Sequence, residues 1–197
     1  MDDRTYRIAV LLAAHVIFLS AAALRILRGE RRHRIRSTGP WYLQYYPPLV
    51  WLPFVVAYFL PVAIDLPVAL RLAGVALAWA SALFAAWAMW TLGRGYGIRM
   101  DVFEGHDLVT RGPYRLTRHP MYLGIVLFHV GATVAMASLL MIAITALYVV
   151  PFTLARIDSE ERVLLEGFGD RYRAYAERVA TLVPLPRSRA ATPARSR

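Results

Sequence analysis

Residues 105–124 read GHDLVTRGPYRLTRHPMYLG and concentrate the chemically versatile side chains of the chain. His106, Tyr114, His119 and Tyr122 supply polar rings; Arg111, Arg115 and Arg118 supply cations. Such rings can hold a cation, pass a proton or order a polar ligand. Further on, Arg156, Glu160 and Glu161 add one cation and two carboxylates. Arg156 and Glu160 stand four residues apart, which puts them on one helix face. That spacing fits an exposed ion pair worth about 0.3–0.5 kcal/mol. It fits equally a site where the arginine meets an anionic substrate and the glutamate a cationic one. No metal site is expected, because His106 and His119 lack a third ligand at a usual spacing. Gly93-Arg94-Gly95-Tyr96-Gly97 looks like a nucleotide loop, but an apolar helix precedes it instead of a strand. It reads as a helix cap and turn.

Apolar helices have to position these groups. Of 197 residues, 58% are hydrophobic, against about 45–50% in soluble domains. The mean hydropathy is +0.43. The apolar excess gathers in runs that match the roughly 20 residues a membrane helix needs. The expected fold class is therefore all-α, a polytopic integral membrane protein. There is no cysteine, which excludes disulfides, thiolate catalysis and Cys-ligated metals. All 23 basic residues are arginine, which removes lysine Schiff-base chemistry. A pI near 10.5 is compatible with nucleic acid as a partner. The arginines flank apolar spans, however, as topology signals do, and no nucleic-acid partner is expected.

The spacing predicts about five transmembrane helices. The first covers residues 5–27; it lacks a cleavage pattern and reads as a retained span. His15 in its middle is expected to be packed and hydrogen-bonded. Residues 28–40 carry five arginines and one glutamate, a cytoplasmic cluster suited to anionic lipid headgroups. The second span, 41–64, holds Pro47, Pro48, Pro53 and Pro61, so it should be broken or kinked and start properly near Leu49. Trp41, Tyr42, Tyr45 and Tyr46 suit the membrane interface. The third, 66–92, offers Ala73, Gly74, Ala78 and Ser81 for close helix contact. Residues 120–157 would reach about 57 Å as one helix, against a hydrocarbon core of about 30 Å. They must form a helical hairpin turning near 135–138. His129 is read as a packed residue, and Pro151 should kink the second helix. Beyond it, Leu164, Leu165, Phe168, Tyr172, Tyr175 and Val179 form an amphipathic stripe that should lie on the membrane surface or on the polar loop. One membrane domain is expected over 1–180, with its motifs in 90–180, and a disordered Arg/Pro-rich tail over 181–197.

Arginine counts orient the chain. Five lie in 28–40, five in 93–119 and nine from 156 onward; the other side has Arg4, Arg7 and Arg71. The N-terminus is then outside and the C-terminus inside. The polar loop and C-terminal helix meet on the cytosolic face. The all-Arg, Ala-rich composition fits a bacterium, and hence the inner membrane. Oligomeric state is not readable.

Taken together, His106-x-Leu-Val-Thr-x-Gly-Pro-Tyr114, Arg118-His119-Pro120-x-Tyr122-x-Gly124, Arg156-x-x-x-Glu160-Glu161 and Phe168-Gly169-x-x-Tyr172-x-x-Tyr175 resemble the isoprenylcysteine carboxyl methyltransferase family and its relatives, the membrane phospholipid methyltransferases. The resemblance covers roughly 90–186. It implies methyl transfer from S-adenosyl-L-methionine, bound without a Rossmann domain in a cytosolic pocket of loop and C-terminal helices. Carried over by residue, His106, Asp107, Leu108, Val109, Tyr114, His119, Pro120, Met121 and Tyr122 line the cofactor site, and Glu160 contacts it. Arg156 becomes the substrate-facing arginine, and Arg156 and Glu160 carry the catalysis. The glutamine the family often has seven residues before His106 is Arg99 here and is not carried over.

The implied acceptor is a lipophilic carboxylate: an isoprenylcysteine, prenylated substrate or lipid acid from the bilayer. A carboxylate with a pKa near 4 is already ionised and needs a cation, not a base. An amine, as in phospholipid N-methylation, must lose a proton; Glu161, His106 and His119 are then base candidates. Two other classes are an NADPH-dependent membrane reductase of the sterol-reductase type and a non-enzymatic scaffold whose arginines only set topology.

Overall fold

The computed structural model describes residues 2–28, 34–37, 43, 46–60, 62–93, 101–103 and 107–183. Its helices are α1 (Asp3–Arg28), α2 (Tyr46–Phe59), α3 (Val68–Leu92), α4 (Pro120–Met136), α5 (Leu139–Ile144), α6 (Val150–Phe168) and α7 (Asp170–Arg178). A π-helical turn, Thr145–Val149, joins α5 to α6 without a break, so that Leu139–Phe168 is one continuous helical stretch of 30 residues. Apart from one short ribbon the described residues are helical or connect helices, and the chain is a multi-pass membrane protein. Among the described residues three helical stretches are long and apolar enough to cross a bilayer: Asp3–Leu24, Val68–Leu92 and Leu139–Phe168. Leu49–Phe59 and Pro120–Met136 are apolar but shorter.

The hairpin turns where the arithmetic put it. Helix α4 ends at Met136, Ala137 takes a left-handed conformation (φ 47°), and the Ser138 hydroxyl caps α5 through the Met141 N–H. The turn is anchored by the α2–α3 connection: Ile64 N–H donates to Ala137 O and Leu139 N–H to Val62 O, both at 2.8 Å. Arg71 closes this end. Its Nε donates to Ala135 O at 3.0 Å, NH1 pairs with Asp3 at 2.6 Å, and the guanidinium lies 3.9 Å from the Tyr6 ring centroid.

Small residues bring α3 and α4 into close contact. A Cβ at Gly131 would fall 2.5 Å from Ala78 N, and one at Gly74 2.5 Å from Ala135 N. Without a hydrophobic force between helices in lipid, this backbone approach supplies the packing. Gly74, Ala78 and Ser81 are buried as expected, but Ala73 is exposed. Aromatic rings fill the space beside this seam. Trp51 of α2 lies 4.6 Å from Phe18, 5.3 Å from Phe128 and 5.4 Å from His129, centroid to centroid.

Several local expectations are corrected. His15 bonds its own helix at Leu11 O, at 2.7 Å, but is exposed instead of packed. Helix α2 begins at Tyr46, not near Leu49; Pro47 and Pro48 occupy a first turn whose N–H groups have no helical partner in any case. Before Pro151 the helix widens into the π turn. The proline ring would crowd the carbonyl four residues back, at Leu147, and the wider turn absorbs that conflict. The amphipathic stripe is divided by Gly169 (φ 54°) into α6 and α7, and Leu165 is exposed.

A short antiparallel ribbon pairs Arg34–Ser37 (β1) with Asp101–Phe103 (β2). It joins the two arginine-bearing loops on one side of the bundle. Trp41, Tyr42, Tyr45, Pro61, the glycine run after Gly93, Arg99, His106 and the tail 184–197 lie outside the described residues.

Candidate active site

The polar loop and the C-terminal segment meet at the bundle end opposite Arg71. After Thr110 the chain makes a 3-10 turn, Gly112–Arg115, in which Pro113 sets the bend and Tyr114 is buried. Pro120 then opens α4, where its missing N–H costs nothing. His119 and Tyr122 are thereby held at the helix mouth, 3% exposed each.

Two linked groups form there. In the first, the Tyr122 hydroxyl donates to Glu160 Oε2 at 2.6 Å and accepts from Arg156 Nε at 3.0 Å. Arg156 is 3% exposed, and its NH1 donates to the carbonyl of Leu43. The i,i+4 pair is thus no exposed ion pair. The arginine is buried in the bundle, and a tyrosine from another helix bridges it to the glutamate.

In the second, Glu161 Oε1 accepts from Arg118 Nε at 2.8 Å and lies 3.2 Å from His119 Nε2. Arg118 also donates to Ala176 O (2.8 Å), Val179 O (2.9 Å) and Thr181 Oγ1 (2.6 Å). Thr181 O accepts from Thr117 Oγ1 at 2.8 Å and from His119 N–H at 3.2 Å. The Tyr175 hydroxyl donates to Tyr114 O at 2.7 Å. Helix α7 therefore lies on the polar loop, one of the two placements expected. Thr181, expected to begin a disordered tail, is bonded into the site. Burial pushes the Tyr175 phenol up to about 12; burial, then the charge of Glu161, raises that of Tyr172.

The remaining expected residues divide. Leu108 and Val109 are half-buried in an extended run leading to the 3-10 turn, and Met121 is half-buried against the core. Asp107 is exposed, 3.9 Å from Arg171. Arg111 and Arg115 are exposed. Among the described residues no three His, Cys, Asp or Glu groups come close enough to hold a metal. Sequence reasoning missed Leu43, whose carbonyl ties the amino-terminal half to the site; a backbone acceptor leaves no trace in residue type. It also gave Arg118 no structural task, although the paired glutamates at 160 and 161 signalled two partners.

A bundle of apolar helices with a buried arginine and paired carboxylates at one end defines the class: a multi-pass membrane protein with a polar site at its rim. Comparison adds what the chain is similar to. Residues 74–166, just under half of the chain, are similar to the isoprenylcysteine carboxyl methyltransferase (ICMT) family. It is 40% identical over 99 residues to protein-S-isoprenylcysteine O-methyltransferase A of Arabidopsis thaliana, covering 49% of this chain and 50% of that protein. It is 33% identical over 99 residues to the mouse protein-S-isoprenylcysteine O-methyltransferase, covering 49% and 35%. Over 76 residues it is 42% identical to methanethiol S-methyltransferase 1 of Bradyrhizobium diazoefficiens, covering 38% and 25%. The solved structure of the eukaryotic intramembrane Ras methyltransferase ICMT superposes with a TM-score of 0.57 at 25% identity, covering 77% of this chain and 55% of that one. The chain spans about half the length of the Arabidopsis relative.

Proposed function

We propose that this protein transfers a methyl group from S-adenosyl-L-methionine to the carboxylate of a lipophilic substrate at the membrane–cytosol interface. The observation that carries the reading is the buried Arg156–Tyr122–Glu160 bridge at the rim of the bundle. The family resemblance over 74–166 supports it.

The residues fit such a cofactor. Glu160 and the rings of Tyr122 and His119, 5.8 Å apart, suit a cation. When bound, the cofactor supplies an electrophilic methyl on a sulfonium. Tyr122 orients the Glu160 carboxylate, and Arg156, fixed by Tyr122 and Leu43, holds the acceptor carboxylate in place. Positioning of this kind supplies much of the acceleration in such transfers. Helix α7 and Thr181, latched by Arg118, cover the site and exclude water.

An ionised carboxylate gives up no proton. An amine would have to, and its nearest base candidates, Glu161 and His119, are committed to each other and to Arg118. This favours the carboxylate. The likeness to a methanethiol S-methyltransferase supports a lipophilic thiol as the second acceptor class.

In this reading residues 1–180 form one domain with five spans in a bacterial inner membrane. The N-terminus is outside and the site faces the cytosol. The 28–40 arginines contact anionic lipid. The acceptor, a prenylated cysteine or lipid acid, enters from the bilayer. The test is methyl transfer from labelled S-adenosylmethionine to farnesylated cysteine, a fatty acid, a fatty amine and a fatty thiol, with protein in nanodiscs. Ester formed on the acids supports the reading; label on the amine alone overturns it.

A further inference from the structure

The helical stretch that carries Arg156 also carries a row of side chains spaced by four. Tyr148, in the π turn, stacks on Phe152 at the start of α6, with ring centroids 5.5 Å apart and planes 11° from parallel. Four residues after Phe152 stands Arg156, and four after that Glu160, the two groups that Tyr122 bridges. Residues four apart form a ridge along a helix surface. At 1.5 Å per residue the row sets Tyr148 about 12 Å from Arg156 along the axis, on the side away from the rim.

Neither ring is placed like an ordinary lipid-facing side chain. Leu147 is 79% exposed and Leu154 50%, whereas Tyr148 and Phe152 are half-buried. Both pack against the cluster that contains Tyr122 and Ile157. Phe152 also packs against Leu43, whose carbonyl fixes Arg156. Tyrosine usually belongs at the membrane interface; here one is held well inside the bundle by its stack. Two near-parallel rings leave a flat apolar strip that leads to a buried cation. That order, apolar for two turns and then positive, complements an amphiphile with a carboxylate at one end. We infer that Tyr148 and Phe152 determine acceptor specificity: the carboxylate lies at Arg156, and the apolar chain runs along α6 over Phe152 and then Tyr148. A chain must extend about 12 Å to reach the second ring. The inference rests on the methyltransferase reading and adds chain length to it: a short acid engages the cation without the strip.

The full chain in nanodiscs is given labelled S-adenosylmethionine with N-acetyl-S-farnesylcysteine or N-acetyl-S-butylcysteine, which share a headgroup and differ in reach. Tyr148→Ala removes the far ring; Leu147→Ala is the neighbouring lipid-facing control. In Tyr148→Ala the ratio of kcat/KM for the farnesyl over the butyl acceptor is expected to fall about tenfold, through KM for the farnesyl compound. In Leu147→Ala the ratio should keep its wild-type value. Tyr148→Leu, which keeps apolar volume without the flat ring, is read in the same way should the alanine variant fail to fold. An unchanged ratio in the Tyr148 variants, or an equal fall in Leu147→Ala, overturns the inference while the methyltransferase reading stands. Wild type that methylates neither acid removes that reading and the inference with it.

Discussion

The Tyr122 hydroxyl donates to Glu160 across 2.6 Å and accepts from Arg156 on the same helix as the glutamate. One phenol thus separates and orients a cation and an anion that sequence spacing alone would set side by side.

Tyr122→Phe should therefore harm function more than fold. The ring remains, but Arg156 Nε and Glu160 lose a shared partner. The loss is expected at about 1–3 kcal/mol of stability. The proposed methyl transfer should fall at least tenfold, because Arg156 and Glu160 are no longer held apart. Steady-state turnover beside thermal unfolding checks this; normal turnover would remove Tyr122 from the site.

Arg118 fastens α7 to the loop through Glu161, two backbone carbonyls and Thr181. A lysine cannot reproduce that fork of donors. Arg118→Lys should cost about 2–3 kcal/mol, less than a fully buried pair, because the Glu161 side chain is 27% exposed. Hydrogen exchange should accelerate over 170–183 and stay unchanged in α3 and α4. Uniform acceleration across the chain would contradict a local latch.

Gly131→Ala tests the helix seam. Its Cβ would lie 2.5 Å from Ala78 N, so α3 and α4 must separate. The expected destabilisation is about 1–3 kcal/mol, read as a lower denaturation midpoint in detergent.

Alkaline pH should loosen the cover. Tyr172 and Tyr175 ionise from an ordinary value of 10.0, and burial holds Tyr175 neutral up to about 12. Between those values the unfolded chain has released protons that the folded chain keeps. Stability is then full below pH 10 and falls as pH rises through the window. Denaturation midpoints from pH 8 to 12 should decline above 10, and more gently in Tyr175→Phe once its own lost bond to Tyr114 is subtracted.

What the sequence could reveal followed physical type. The hairpin at 135–138 came from length against bilayer thickness, and Gly74, Ala78 and Ser81 from side-chain size. The motif residues His119, Tyr122, Arg156 and Glu160 came together at one end of the bundle. What escaped were relations that residue type does not encode. The bond from the Arg156 guanidinium to the Leu43 carbonyl joins a side chain to a backbone group 113 residues away. The π turn at Thr145–Val149, just before Pro151, has no mark in residue type. The bonding of Thr181 under Arg118 lies in a segment whose following prolines and arginines read as a tail.

The central claim is that Glu160 and its neighbours bind S-adenosylmethionine. It is tested most directly by calorimetry of that ligand with wild type and Glu160→Gln in nanodiscs. The account predicts one saturable site in wild type and an affinity at least tenfold weaker in the variant, with both proteins folded. No binding in wild type at millimolar ligand, or equal binding in the two, would contradict it.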